Sequence, residues 1–210
     1  MKSVPREVTL ASLKRPVVVH QLSMKRQKMT RLPSKAEIAS CKLAAARRIP
    51  ELLELMASKP TNATRFLFYG YITLHWSCFH GHRPGVYANL TDQEVIEGRH
   101  QGHLIHIKNH KTAGSFGEAQ LYLEAGEFSW MERWLEGEGP CKNLGAYLGM
   151  AWRDAGMEGP ICYTAIRTAL SDYAKKTQDA ASRKKVTDFM CHDTSTGKEE
   201  QSRAKHLVRR

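Results

Sequence analysis

The chain has 210 residues, 41% of them hydrophobic, and carries 32 Lys and Arg against 21 Asp and Glu, a net charge of +11. That length suits one domain, or one domain with an arm, and the apolar content is ample for a core. The charge favours a polyanionic partner, nucleic acid first and acidic membrane second. No apolar run approaches membrane-spanning length, "PVVVH" being far too short, and the N-terminus shows no signal-peptide pattern. Five cysteines at positions 41, 78, 141, 162 and 191, an odd number without a C-x-x-C pair, indicate free thiols in a reducing compartment.

Residues 1–33 read as a basic arm, with "MKRQKMTR" as its most charged piece. Such a piece suits a solvated tail, a phosphate contact or a nuclear-import segment. Residues 34–210 form the folded part. Ser34-x-x-Glu37 is a capping box opening a helix, which Pro50 is expected to end or kink. A second short helical piece, "ELLELMASK", should stop before Pro60. From 61 to 80 the chain is apolar over a wide helical arc. Leu67, Tyr71, Leu74 and Cys78 lie on one face, with Phe68, Ile72, Trp76 and Phe79 beside it. This is the pattern of a central core helix, and Gly81 closes it. Thr91-x-x-Glu94 is a second capping box, opening a short helix to about Arg99.

The β signal is confined to 103–123. "HLIHIK" and "QLYL" flank the loop "NHKTAGSFGEA", the pattern of a hairpin. Helical spacing then returns. It joins Phe128, Met131, Trp134 and Leu135, and next Leu144, Tyr147, Leu148, Ala151, Trp152 and Ala155. A helix over 163–176 should bury Ile166, Leu170 and Tyr173. Another should carry Val186, Phe189 and Met190. The expected class is α+β, mostly α-helical with one small β-hairpin.

Histidines are frequent in two places. "HWSCFHGH" supplies His75, Cys78, His80 and His82; "HLIHIKNH" supplies His103, His106 and His110. Zinc takes four N or S ligands, usually in closed pairs. His75 and Cys78 fall inside an apolar helix, so no metal site is expected. The alternating hairpin histidines suit an open or DNA-facing sheet surface.

Polar residues stand where the apolar elements end: Arg83 after the central helix, Lys111 in the hairpin loop, Arg167 near a helix start, His192 after the last helix. In this order the segments "YITLHWSCFHGHRPGVYANLT", "HIKNHKTAGSFGEAQLYL", "YTAIRTALSDYA" and "VTDFMCHDTST" resemble the catalytic domain of the tyrosine recombinases, the phage-integrase-like DNA breaking-and-rejoining enzymes. The wording "HRPGVYANLT", "HKTAGSFGEAQL" and "MCHDTST" is similar to the transposon-derived, Crypton-like group of animal genomes. The resemblance spans about residues 36–201. It implies duplex DNA as partner, a second copy or a related recombinase chain as a further partner, a nuclear location and no cofactor. It also implies roles. Arg83 and Arg167 would grip phosphoryl oxygens bidentately, His192 would add a donor, and Lys111 would protonate the leaving oxygen. The family's covalent nucleophile is a tyrosine.

Two positions depart from the family pattern. Thr164 stands where the His of His-x-x-Arg is expected. Counting on from His192 by the family's spacing reaches Gln201, and no Tyr follows Tyr173. Tyr173 fits the apolar face of its helix and should be core, leaving Tyr163 as the first alternative. The thirty-three residues before Ser34 are too few for the family's N-terminal clamp domain. The expected function is therefore a DNA-binding domain without strand cleavage of its own. The alternative is a helical protein-interaction module that keeps the fold and has lost DNA binding.

Overall fold

The computed structural model describes residues 32–135 and 143–191. Its first helix, α1 (Lys35–Ser58), begins at the expected capping box. Ser34 Oγ accepts from the Glu37 amide at 3.1 Å, and the Glu37 carboxylate accepts from the Ser34 amide at 2.8 Å. Pro50 neither ends the helix nor divides it. The buried stripe Ile38, Cys41, Ala45, Ile49 and Leu52 runs unbroken past it. Pro50 sits on the exposed side, where its ring intrudes on no packed surface and water can reach the carbonyl it leaves without a donor. Tertiary packing of that stripe outweighs the lost hydrogen bond.

The central helix α2 (Asn62–His80) is buried at every residue from Phe68 to Cys78. It packs chiefly on α1 and on α7 (Leu144–Asp154). At Gly70 the approach to α7 is so close that a Cβ would lie 2.1 Å from the Tyr147 carbonyl oxygen. Two of its hydroxyls are bonded, Thr73 Oγ1 donating to Tyr69 O at 2.7 Å and Tyr71 OH to Asp154 at 2.7 Å, whereas the buried Trp76 Nε1 has no hydrogen-bond partner among the described residues. The apolar arc narrows at the C-terminal end. Phe79 is 57% exposed, with Lys42 Nζ over its ring at 4.4 Å. Gly81 caps the helix in the left-handed region, φ 64°.

Arg83-Pro84-Gly85 is not a plain loop. Pro84 occupies the first position of a short helix, α3 (Pro84–Ala88), where its missing N–H costs nothing. Helix α4 (Asp92–His100) follows with the expected Thr91–Glu94 box. Glu94 does more than cap. One carboxylate oxygen accepts from the Thr91 amide and the other from the Lys108 amide, both at 2.9 Å, tying α4 to the end of β1. Strands β1 (Leu104–Ile107) and β2 (Ala119–Tyr122) pair antiparallel, Leu104 opposite Tyr122 and Ile107 opposite Ala119. One helical turn, α5 (Ala113–Phe116), lies within the connecting loop.

Helix α6 (Ala125–Leu135) buries Phe128, Met131 and Trp134 as the spacing predicts. The last described helices are α8 (Tyr163–Thr177) and α9 (Ala180–Phe189). Among the described residues 71% are helical and one two-stranded sheet forms, so the class is α+β and mostly α-helical. No helix among the described residues is long and apolar enough to cross a membrane.

The two tyrosines of α8 exchange their expected places. Tyr163 is buried, and its hydroxyl donates to Thr73 Oγ1 at 2.9 Å. Tyr173 is 39% exposed and accepts from Lys35 Nζ at 2.7 Å, which holds its phenol below the usual range. Tyr173 is therefore not a core residue. Phe189 of α9, expected on an apolar face, is likewise exposed.

Candidate functional site

Arg167 lies one turn into α8, yet it is only 6% exposed. One terminal guanidinium nitrogen donates to Gly81 O at 3.3 Å and the other to Cys191 O at 3.0 Å. It thus joins the cap of the central helix to the exit of α9. Its Nε is buried and has no partner among the described residues. Burial, and then the neighbouring Arg83 charge, bring its pKa down to about 10, so it remains a cation at neutral pH. No ion pair joins Arg83 or Arg167 to a carboxylate among the described residues.

Arg83 is half-buried at the N-cap of α3, two residues beyond Gly81. Its charge reaches both Arg167 and the Cys191 thiol. Burial raises that thiol's pKa, and the two arginines oppose the rise. Lys111 is exposed in the hairpin loop. Its neighbour Thr112 donates through Oγ1 to the Cys191 carbonyl at 3.4 Å, and His110 Nε2 meets Gly117 O at 2.9 Å. One carbonyl, that of Cys191, therefore receives both Arg167 and Thr112. Cys191 holds φ 49° as it presents that oxygen.

Arg83, Arg167 and the loop bearing Lys111 come together from three elements separated by long stretches of chain. His192 follows Cys191 directly and lies outside the described residues, as does Gln201. Thr164 is exposed in the first turn of α8, where its carbonyl accepts from Thr168 Oγ1.

The histidines divide into distinct roles. His75 meets Glu127 at 2.5 Å, buried between α2 and α6. His106 faces Glu118 at 3.3 Å on the open side of the sheet, whereas His110 is buried. His103 lies against the Phe128 ring. Among the described residues no group of three or more His, Cys, Asp or Glu is placed to hold a metal ion. The described cysteines are free, and burial pushes the Cys41 and Cys78 thiols up to about 12, which leaves them unreactive at neutral pH.

Sequence reading did not assign His80 and His82 to this site. Both are buried beside it, and both imidazoles are bonded to β2. Their only sequence signal is the i, i+2 spacing, which matches the repeat of carbonyls along one edge of a strand. Comparison of the chain with protein-family models, with curated proteins and with solved structures returns no match.

Proposed function

We propose that this chain is a duplex-DNA-binding domain of tyrosine-recombinase type that does not cleave DNA by itself. The observation that carries the reading is the pairing of Arg83 with Arg167 next to the Lys111 loop. Two guanidiniums brought together without a described carboxylate partner form a receptor for an anion, and a planar fork suits phosphate oxygens. The overall charge of +11 adds long-range attraction to the same kind of ligand. Nuclear DNA is the partner this reading names, together with a second copy or a related recombinase chain able to supply a tyrosine.

The test is a titration of duplex DNA across salt concentrations. A footprint of about four to six phosphates gives a slope of log K against log salt of roughly −4 to −5, and Arg83→Gln should reduce its steepness by about 1. A flat salt response, or no duplex retained at about 50 mM salt, would sink the reading.

No covalent protein–DNA adduct is expected on a nicked duplex, because Gln201 stands at the nucleophile position. Denaturing electrophoresis of labelled DNA reads this directly. A protease-sensitive shifted band would point first to Tyr173, whose phenol is exposed beside Lys35, rather than to the buried Tyr163.

One observation favours the other reading, a protein-interaction module. Both terminal nitrogens of Arg167 are already engaged by protein carbonyls, as in a purely structural staple. A folded chain with no affinity for duplex at low salt would leave that reading standing.

A further inference from the structure

We infer that His80 and His82 form a paired imidazole clamp that positions the β-hairpin against the Arg83–Arg167 cluster, and that His82 is the group through which acid releases it. His80 Nε2 meets Tyr122 O at 2.9 Å and His82 Nε2 meets Gln120 O at 2.8 Å. Leu123 N donates across the sheet to His103 O. By strand alternation the carbonyls of 120 and 122 then point away from β1, along the open edge. Residues two apart on one segment thus bond residues two apart on the other. The two rings lie 5.9 Å apart with 6° between their planes. The imidazoles take the place of a third strand and close the edge.

The two histidines differ in what a second proton would meet. His80 Nδ1 faces the Trp76 carbonyl at 3.2 Å, so protonated His80 has an acceptor for each N–H. His82 Nδ1 is buried without a partner among the described residues, in a side chain that is 1% exposed. With Nε2–H donating to Gln120, neutral His82 leaves that nitrogen as an idle acceptor. A proton there has no acceptor to bond.

The charges around them point the same way. Around His80 are His75 on the same helix and the Glu127 carboxylate from α6. Around His82 are His80, Arg167 from α8 and His110 from the hairpin loop, while α9 contributes the neutral Phe189 ring at 5.4 Å. An acid thus stands near His80, and the described charged and titratable groups around His82 are basic. Burial lowers both pKa values to about 4, below the ordinary 6.5. The unfolded chain therefore takes up protons first. Stability from the clamp is complete above about pH 6.5 and is lost as pH falls toward about 4.

The part of this inference that concerns the Lys111 loop rests on the duplex-binding reading; the clamp itself does not. Amide hydrogen exchange of the whole chain without DNA, corrected for intrinsic rates, tests it. Exchange in the hairpin should rise on the order of tenfold between neutral pH and about pH 5. His82→Gln keeps a donor near Gln120 and cannot titrate. It should hold near-wild-type hairpin protection at neutral pH and show a clearly smaller acid rise, the remainder coming from His80. His82→Ala should lose hairpin protection already at neutral pH. An acid rise unchanged in His82→Gln, or wild-type protection in His82→Ala, overturns the inference. If His82→Ala does not fold, the pH profile of His82→Gln decides alone. A chain that keeps this exchange pattern but binds no duplex removes the DNA reading and leaves the clamp.

Discussion

Gly70→Ala is expected to cost on the order of 3 kcal/mol, a fall in melting temperature of roughly 6–12 °C. The added Cβ would sit 2.1 Å from Tyr147 O, 2.7 Å from Tyr147 C and 3.1 Å from Ala151 Cβ. The first two are backbone atoms of a neighbouring helix, so no rotamer change relieves the clash. Helix α7 must move away from α2. That movement disturbs the stacked Phe66 and Tyr147 rings, whose centroids lie 4.6 Å apart, and the contact of Tyr69 with Tyr147, at 6.4 Å. Alanine's better helix propensity returns only about 1 kcal/mol. Gly149→Ala on α7 is the counterpart. Its Cβ would meet only the tip of Arg153 at 3.7 Å, so propensity should win and stability should rise by up to about 1 kcal/mol. Thermal melts of the two variants should move in opposite directions. A Gly70→Ala chain as stable as the wild type would mean that the two helices are not packed this closely.

The elements legible in the sequence are those set by local chemistry. Both capping boxes form, Gly81 ends the central helix, and the hairpin pairs where β-prone runs flank a Gly-rich loop. Local rules failed where distant contacts overrule them. Pro50 is tolerated because the stripe from Ile38 to Leu52 is packed along its whole length. On α8 the error has a specific origin. Arg167 and Ser171 look like solvent-facing residues, and counting them so rotates the apparent apolar face toward Tyr173. Both are in fact buried, Arg167 on two carbonyls and Ser171 against Met190 Sδ at 4.0 Å. The true face runs through Tyr163, Ile166, Arg167 and Ala174. The candidate site was legible in part for a related reason. Arg83, Lys111 and Arg167 stand out as polar residues at element ends. The imidazoles bonded to β2 depend on a register that no local pattern encodes.

Arg167→Met is the variant that separates a structural staple from an anion receptor. It deletes the hydrogen bonds to Gly81 O and Cys191 O, leaving Gly81 O unpaired at about 1–3 kcal/mol and Cys191 O with Thr112 Oγ1 alone. Relief of a cation buried beside the Arg83 charge offsets part of that loss. The net loss should be about 2 kcal/mol, a drop of roughly 4–8 °C in melting temperature. Methionine fills much of the volume, so the fold should persist. Duplex affinity at fixed low salt should fall at least about tenfold, since a charge-assisted contact of about 1.5–3 kcal/mol goes with the guanidinium. Arg167→Lys keeps the charge but cannot span two carbonyls and present a fork as well. Its affinity should fall between those of the wild type and the Met variant. The decisive comparison sets the two losses against each other, with melts and titrations run in one buffer. A Met variant that melts many degrees lower yet binds duplex as tightly as the wild type would make Arg167 a staple alone. The site would then have to be sought around Arg83 and Lys111 without it.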